Sequence, residues 1–356
     1  MASLTNLKLL MFFTALLIYG TLFVLIAVAM TLFDLFVGDF PLWAGVIFSI
    51  FISLVFIFIQ WYTSPWIVAW SSRLRYLQPG ENPWLEETVK QLAEQAKVPM
   101  PRLAIVPDPS PNAFVFGRTK GSSTLAVHQG LLERLNKDEV KAVLAHEIGH
   151  IRHNDCVVMT MVSAVPLIAY MVGRTFMNSS FRASGGSRRE GRDTVGLMVA
   201  MLLTAITAWI VYFISQLLVL WLSRSREYYA DAYSAYATRN PHALASALSK
   251  IAYGLSLSRE ETSGLRSFYI GDPATAKREI GAVMAHKDEY DLDRDGVLDE
   301  RELQLAMEKQ AGSTWTKINE LFSTHPTMYK RIILLKNIEK ELEKASIREE
   351  EVYRLV

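Results

Sequence analysis

Apolar and polar positions segregate along this chain into four long greasy stretches, at residues 9–37, 42–62, 157–173 and 195–222, separated by patterned polar segments. The first two exceed the twenty or so residues that cross a bilayer as a helix, and neither interior carries Lys or Arg. Gly38, Asp39 and Pro41 separate them, which predicts a membrane hairpin. The first stretch is too long for a signal-peptide core and lacks a strong basic start, so it is expected to be retained. Trp61, Tyr62, Trp66 and Trp70, followed by Arg73 and Arg75, read as an aromatic belt with a basic edge. The third stretch is at the short limit for spanning. The second pair therefore either crosses the membrane or lies re-entrant or along its surface.

Between the two pairs the periodicity changes. Pro83–Ala96 reads as a helix, and Arg102–Val106, 113–117 and 124–127 as short strands with Pro and Gly turns between them. Asn136 and Glu139 form a capping box ahead of Val140, Val143, Leu144 and Ile148, which specifies a helix. Past residue 222 the chain reads as helical through 237 and again over 241–253. A looser Ser- and Gly-containing stretch follows, and a terminal helix opens near Thr327.

The capped helix carries His146-Glu147-Ile148-Gly149-His150. Residues four apart share a helix face, so two imidazoles can meet one ion, with Glu147 turned about 100° round the helix beside them. Two nitrogen ligands, a carboxylate base and a third ligand from elsewhere make a hydrolytic zinc site. A third histidine six residues past His150 is ruled out, since that place holds Cys156, and His153 stands where such sites need Gly. Glu227 and Asp231 instead offer a ligand carboxylate and a carboxylate to orient a metal-bound imidazole. His150 precedes the third apolar stretch by seven residues and Glu227 follows the fourth by five. As helix these are roughly 10 and 8 Å, which puts the metal at a membrane surface.

The chain resembles the HtpX branch of integral-membrane zinc metallopeptidases, relatives of the CAAX prenyl proteases. The likeness rests on Pro111-Asn112-Ala113-Phe114, the His146–His150 pentapeptide, Ser225-Arg226-Glu227-Tyr228-Tyr229-Ala230-Asp231, Thr324-His325-Pro326 and Arg331-Ile332. It implies a mainly α membrane protein, with two to four transmembrane helices and a mixed α+β zincin-type catalytic domain. It also implies His146, His150 and Glu227 as zinc ligands and Glu147 as base. Asn112, Ala113 and Phe114 are expected on a substrate-aligning edge strand, and His325 near the metal as a transition-state or gating group. Arg331 is expected to help His325 stabilise the oxyanion. The implied substrates are misfolded or damaged membrane proteins. The alternatives are a narrow-specificity CAAX-type maturation protease and a non-enzymatic, calcium-responsive membrane scaffold.

Asp291, Asp293, Asp295, the Val297 carbonyl, Asp299 and Glu302 match the ligand positions of an EF-hand loop, with Gly296 at its bend. Calcium is expected there, ordering the segment that delivers His325; the family pattern does not require this insertion. The expected divisions are 1–70 (membrane hairpin), 71–156 (first catalytic part), 157–222 (second membrane pair), 223–279 (third-ligand part), 280–312 (calcium insertion) and 313–356 (His-Pro segment).

With 51% hydrophobic residues in 356, and a mean hydropathy of +0.17, the chain is too apolar for an ordinary soluble enzyme. A net charge of +1 without a basic stripe argues against nucleic acid as a partner, leaving membrane proteins and the bilayer. One cysteine excludes an internal disulfide framework. Arg73, Arg75, Arg224 and Arg226 favour a cytoplasmic catalytic face, in the inner membrane if the cell is prokaryotic. Arg174, Arg182, Arg188, Arg189 and Arg192 pull the other way, because they fall outside if the second pair spans. His128, His153, His242 and His286 are read as structural or surface groups.

Overall fold

The computed structural model describes residues 4–37, 42–186, 192–256, 270, 273–285, 287–290, 292, 302, 305–306, 320–344 and 348–356. The first apolar pair forms α1 (Leu4–Val37) and α2 (Leu42–Ser71); the second forms α6 (Asp155–Gly186) and α7 (Arg192–Thr238). Among the described residues these four helices are long and apolar enough to cross a membrane. A helix is what lipid demands of such a sequence, because it satisfies every backbone polar group internally. The third candidate span covers Asp155–Phe181, 27 residues, and exceeds the seventeen or so read from hydropathy. Asn178, Ser179 and Ser180 end the apolar pattern, but their backbone hydrogen bonds continue the helix.

The chain divides into two compact units. One comprises 10–63 and 158–219, the middles of the four long helices. Within it Tyr19 donates to the Met161 carbonyl (3.2 Å) and Gln60 to the Thr160 carbonyl (3.2 Å). Tyr170 meets Trp209 edge to face at 5.5 Å, and Gly173 admits the Trp209 ring, which a Cβ would meet at 3.1 Å. Phe12, Leu16, Phe51, Leu54 and Phe58 are exposed, which suits a lipid-facing surface and would be costly in water.

The other unit comprises 1–9, 64–157 and 220–356. Its sheet has β1 (Arg75–Tyr76), β2 (Arg102–Val106), β3 (Ala113–Phe116) and β4 (Thr124–His128) in the order β1-β2-β4-β3. β2 and β4 run parallel, and the other pairs are antiparallel. Val68, Ala104, Val106, Phe114, Phe116 and Ala126 make the core on one sheet face. α3 (Pro83–Ala96), β3 and α8 (Pro241–Ser256) all pack against α5 (Lys137–His153), the helix with the histidine pair. α5 starts with the expected box: Asn136 Oδ1 accepts from Glu139 N and Glu139 Oε2 from Asn136 N, both at 2.9 Å. Glu139 also accepts from Ser246 (2.7 Å) and Lys250 (2.5 Å), so the cap ties α5 to α8. α5 ends at Asn154, whose φ of 65° breaks the helix so that α6 starts one residue later. α11 (Met328–Lys344) also packs on α8, as does α9 (Pro273–Met284).

His128 ends β4 and is buried; His153 is buried with Nε2 3.0 Å from the Tyr353 hydroxyl; His242 is exposed; His286 lies outside the described residues. Burial pushes His153 down to about 4. The fold thus holds a neutral imidazole, whereas the unfolded chain protonates below about 6.5. The stability it contributes is complete above that pH and is lost as pH falls toward 4. Replacing His153 with Asn removes the titration. The stability gap between wild type and H153N should therefore narrow by roughly 3 kcal/mol between pH 7 and pH 4, measured by denaturation in detergent.

Candidate metal centre

Helix α5 supplies His146 and His150 from one face, and α7 brings Glu227 against them. Nε2 of His146 and Nε2 of His150 are 3.1 Å apart. Glu227 Oε2 lies 3.5 Å from the first and its Oε1 3.4 Å from the second. A tetrahedral ion with ligand bonds of about 2.1 Å has ligand–ligand edges of about 3.4 Å. The two imidazole nitrogens and the Glu227 carboxylate, which turns one oxygen toward each, are therefore close enough together to share one ion. All three residues are buried.

The opposite ring nitrogens explain why the rings point this way. His146 Nδ1 is 2.9 Å from Asp231 Oδ1, and His150 Nδ1 is 2.6 Å from Asp155 Oδ2. Each Nδ1 carries the proton it shares with a carboxylate, so each Nε2 presents a lone pair. At 3.1 Å the two Nε2 atoms, with a carboxylate beside them, are held together by a shared proton or by a metal cation in its place. Guanidiniums buttress both carboxylates. Arg331 grips Asp231 through Nε (2.8 Å) and Nη2 (2.7 Å), while Arg226 Nη1 lies 3.5 Å from Asp155. Glu147, Asp155, Glu227 and Asp231 are four buried carboxylates facing two buried guanidiniums, Arg226 and Arg331. By this count carboxylates outnumber guanidiniums, an excess that favours a cation at the donor set.

Electrostatics agree with that count. Burial alone would lower His146, yet its bonds to Asp231 and Glu227 outweigh burial and raise it to about 9. A field that retains a proton there retains a metal cation equally well. Glu147 is moved upward, chiefly by desolvation. Both of its carboxylate oxygens are buried without a hydrogen-bond partner among the described residues. A buried carboxylate left open beside a metal-donor set is placed to exchange a proton with a small polar molecule. Gly149 lets α5 and α7 approach, since a Cβ there would stand 3.3 Å from Ala230 Cα and 3.2 Å from the Tyr233 ring. Ser234 fastens the same contact by donating to the Ala142 carbonyl at 2.6 Å.

His325 is buried, with Nδ1 3.3 Å from Glu227 Oε2. Its segment is held by Arg224, which donates to the carbonyls of Leu321 (3.2 Å) and Ser323 (2.9 Å). Arg331 sits behind the donor set. Beyond Asp231 it donates to the Ile270 carbonyl at 2.6 Å, so its fork already serves protein acceptors.

β3 is an edge strand as expected. The His128 N–H donates to the Asn112 carbonyl at 3.0 Å, so by antiparallel alternation Phe114 also turns its main chain into the sheet. The Phe114 side chain is in the core, which leaves it neither side chain nor backbone for an added peptide. Ala113 faces outward, but its N–H is bonded to Asn112 Oδ1 (3.0 Å) and its carbonyl to Ile270 N–H (3.1 Å). Of the calcium loop, Asp291, Asp293, Asp295, Val297 and Asp299 lie outside the described residues. Glu302 is buried, and its Oε1 accepts from Leu292 N–H at 2.5 Å.

Sequence reasoning missed Asp155, Arg226 and Ile270. Asp155 had a signal: an acidic residue five past His150, directly after Asn154, a residue type that tolerates the left-handed turn. Ile270 had none, being one apolar residue in an unpatterned stretch.

The sequence profile described as Peptidase family M48 matches residues 79–339. A "Protease HtpX homolog" from Methanothermobacter thermautotrophicus is 39% identical over 251 residues, 70% of this chain and 88% of that one. One from Aeropyrum pernix is 32% identical over 323 residues, 90% of this chain and 95% of that one. The crystal structure of S. mikatae Ste24p aligns with a TM-score of 0.44 at 18% identity, covering 93% of this chain and 67% of that one.

Asp155 and Asp231 orient the two imidazoles symmetrically, so Asp155→Asn should lower metal affinity as much as Asp231→Asn. Each loss should be about 10–100-fold, read by competition with a chromophoric chelator. Unchanged affinity in D155N would show that the His150 ring is fixed by packing alone.

Proposed function

The chain belongs to Peptidase family M48 and is an integral-membrane metalloprotease; on that premise we propose that it uses zinc to cleave peptide bonds at the membrane surface. The observation that carries this reading is the convergence of His146 Nε2, His150 Nε2 and the Glu227 carboxylate beside a Glu147 carboxylate with no hydrogen-bond partner among the described residues. Two imidazoles and one carboxylate with an open fourth position are the donor set of catalytic zinc. Zinc there would supply Lewis acidity, making a water acidic and polarising the scissile carbonyl.

The protein's own groups do the rest. Glu147 takes the proton of the attacking water and returns it to the leaving amine, a role its burial-raised affinity for protons suits. His325, beside Glu227, is the group to stabilise the developing oxyanion. Arg331 holds Asp231, and through it His146, while its Nη1 lies 3.5 Å from Glu227 Oε2, where its charge can share that task. An extended substrate pairs with the outward edge of Ala113, steered by Asn112, and must first replace the bonds made there by Ile270.

The substrates proposed are misfolded or damaged membrane proteins. In support, Glu227 lies on α7, the same continuous helix that carries the fourth apolar stretch. A cytoplasmic catalytic face is proposed from Arg73, Arg75, Arg224 and Arg226. Calcium at 291–302, modulating activity, is proposed from the ligand pattern of that loop.

Glu147→Gln should keep metal content at wild-type stoichiometry and lower cleavage of an unfolded, casein-type substrate by about 10²–10⁴-fold. Comparison of membrane proteomes from cells carrying wild type or E147Q should then reveal accumulated substrates in the variant. Undiminished cleavage by E147Q would overturn the assignment.

A further inference from the structure

At the C-terminal end of α5, outside the metal-donor set, a cleft of about 220 Å³ is lined by Leu7, Lys8, Lys97, Val98, Lys120 and Arg152, together with His153. Four cations reach it from four separate segments: the start of α1, the end of α3, the turn at Lys120–Ser122 and the end of α5. Two of them are pinned. Lys120 Nζ donates to the Arg152 carbonyl at 2.6 Å. Arg152 donates to the Ala96 carbonyl (2.7 Å) and pairs with Glu349 (2.7 Å). Lys97 is presented by a left-handed helix cap, φ 55°. Among the described residues neither Lys8 nor Lys97 makes an ion pair, and His153 adds no counter-charge.

Like charges so gathered repel one another. Lys120 is lowered by partial burial, then by Arg152 and Lys8. A fold that converges four cations on one concave site, with Glu349 already paired to Arg152 and Asp155 already paired to His150 and Arg226, is stabilised by an anion among them. Pinned Arg and Lys donors of this kind suit phosphate oxygens. Nucleic acid is a poor occupant, because the cleft is small and carries no aromatic platform for bases.

We propose that this cleft binds a phosphate-bearing anion, either the head group of an anionic membrane phospholipid or free phosphate. Two features favour the lipid. Leu7 and Lys8 belong to the first turns of the candidate span Thr5–Leu35, and Leu7 and Val98 give the cleft apolar walls beside its cations. Juxtamembrane lysines on a membrane helix are the ordinary partners of anionic head groups.

The test uses the full-length protein in detergent, with bound lipid counted by native mass spectrometry. Phosphatidylglycerol, phosphatidylcholine and inorganic phosphate are titrated separately. Lys8 and Lys97 are exposed, so the K8Q/K97Q double variant should fold. Phosphatidylglycerol should bind the wild type and bind the double variant about thirtyfold more weakly, roughly fivefold per lysine. K8R/K97R should restore binding. Displacement of the lipid by millimolar inorganic phosphate, with the same dependence on both lysines, would assign the site to free phosphate and support the same chemistry. Equal binding of phosphatidylcholine, or unchanged phosphatidylglycerol binding by K8Q/K97Q, would overturn the proposal.

Discussion

Two hydrogen bonds govern this molecule: His146 Nδ1 to Asp231 and His150 Nδ1 to Asp155. They orient both rings and favour a proton on each Nδ1, which turns the two Nε2 atoms toward each other and Glu227, where one cation can be shared. Either imidazole alone has many rotamers and two possible donors. Tied at the back, each has one. Behind each carboxylate stands a guanidinium, Arg331 or Arg226, so the centre is two parallel chains of alternating charge that meet at one point.

Such a centre is expensive to bury. Carboxylates withdrawn from water lose several kcal/mol of hydration apiece, and their partners repay this only with good geometry. The surrounding fold is arranged to supply it. The Asn136–Glu139 box fixes where α5 begins, and Glu139 continues to α8 through Ser246 and Lys250. Gly149 and the Ser234–Ala142 bond set the distance from α5 to α7. Asn154 turns the chain in a left-handed step so that Asp155 can reach back to His150. A metal cation at these donors would offset the excess of carboxylates, so its binding would also help hold these helices together.

Much of this could be read in advance, for physical reasons. Periods of 3.6 and 2 gave Pro83–Ala96 and Arg102–Val106 at the bounds observed, since local pattern and burial agree there. The metal donors were legible because i, i+4 spacing on a capped helix leaves little choice of face. What escaped reading depends on long-range contact. Asp155 matters only because a turn aims it backward, and Ile270 only because it meets a strand more than 150 residues earlier in the chain. Phe114 was misjudged because an edge strand has two sides, and the register decides which residues turn inward. Arg331 stands beside the metal donors, 3.5 Å from Glu227, but its grip on Asp231 is a contact that spacing does not encode.

The occupied edge of β3 constrains what can be cut. Ile270 N–H serves Ala113 O and Asn112 Oδ1, and its carbonyl serves Arg331, all in a buried setting. Removing it without a substitute would strand buried polar groups at about 1–3 kcal/mol apiece. An extended peptide carries the same N–H and C=O groups and can take over each bond one for one, so the exchange is nearly neutral. A helix cannot, because its own backbone bonds already use those groups. Under the proposed function, an edge occupied in this way favours extended chain over intact helix. On that proposal, a preference set by backbone state would let the centre tell unfolded segments from intact membrane helices without reading side chains.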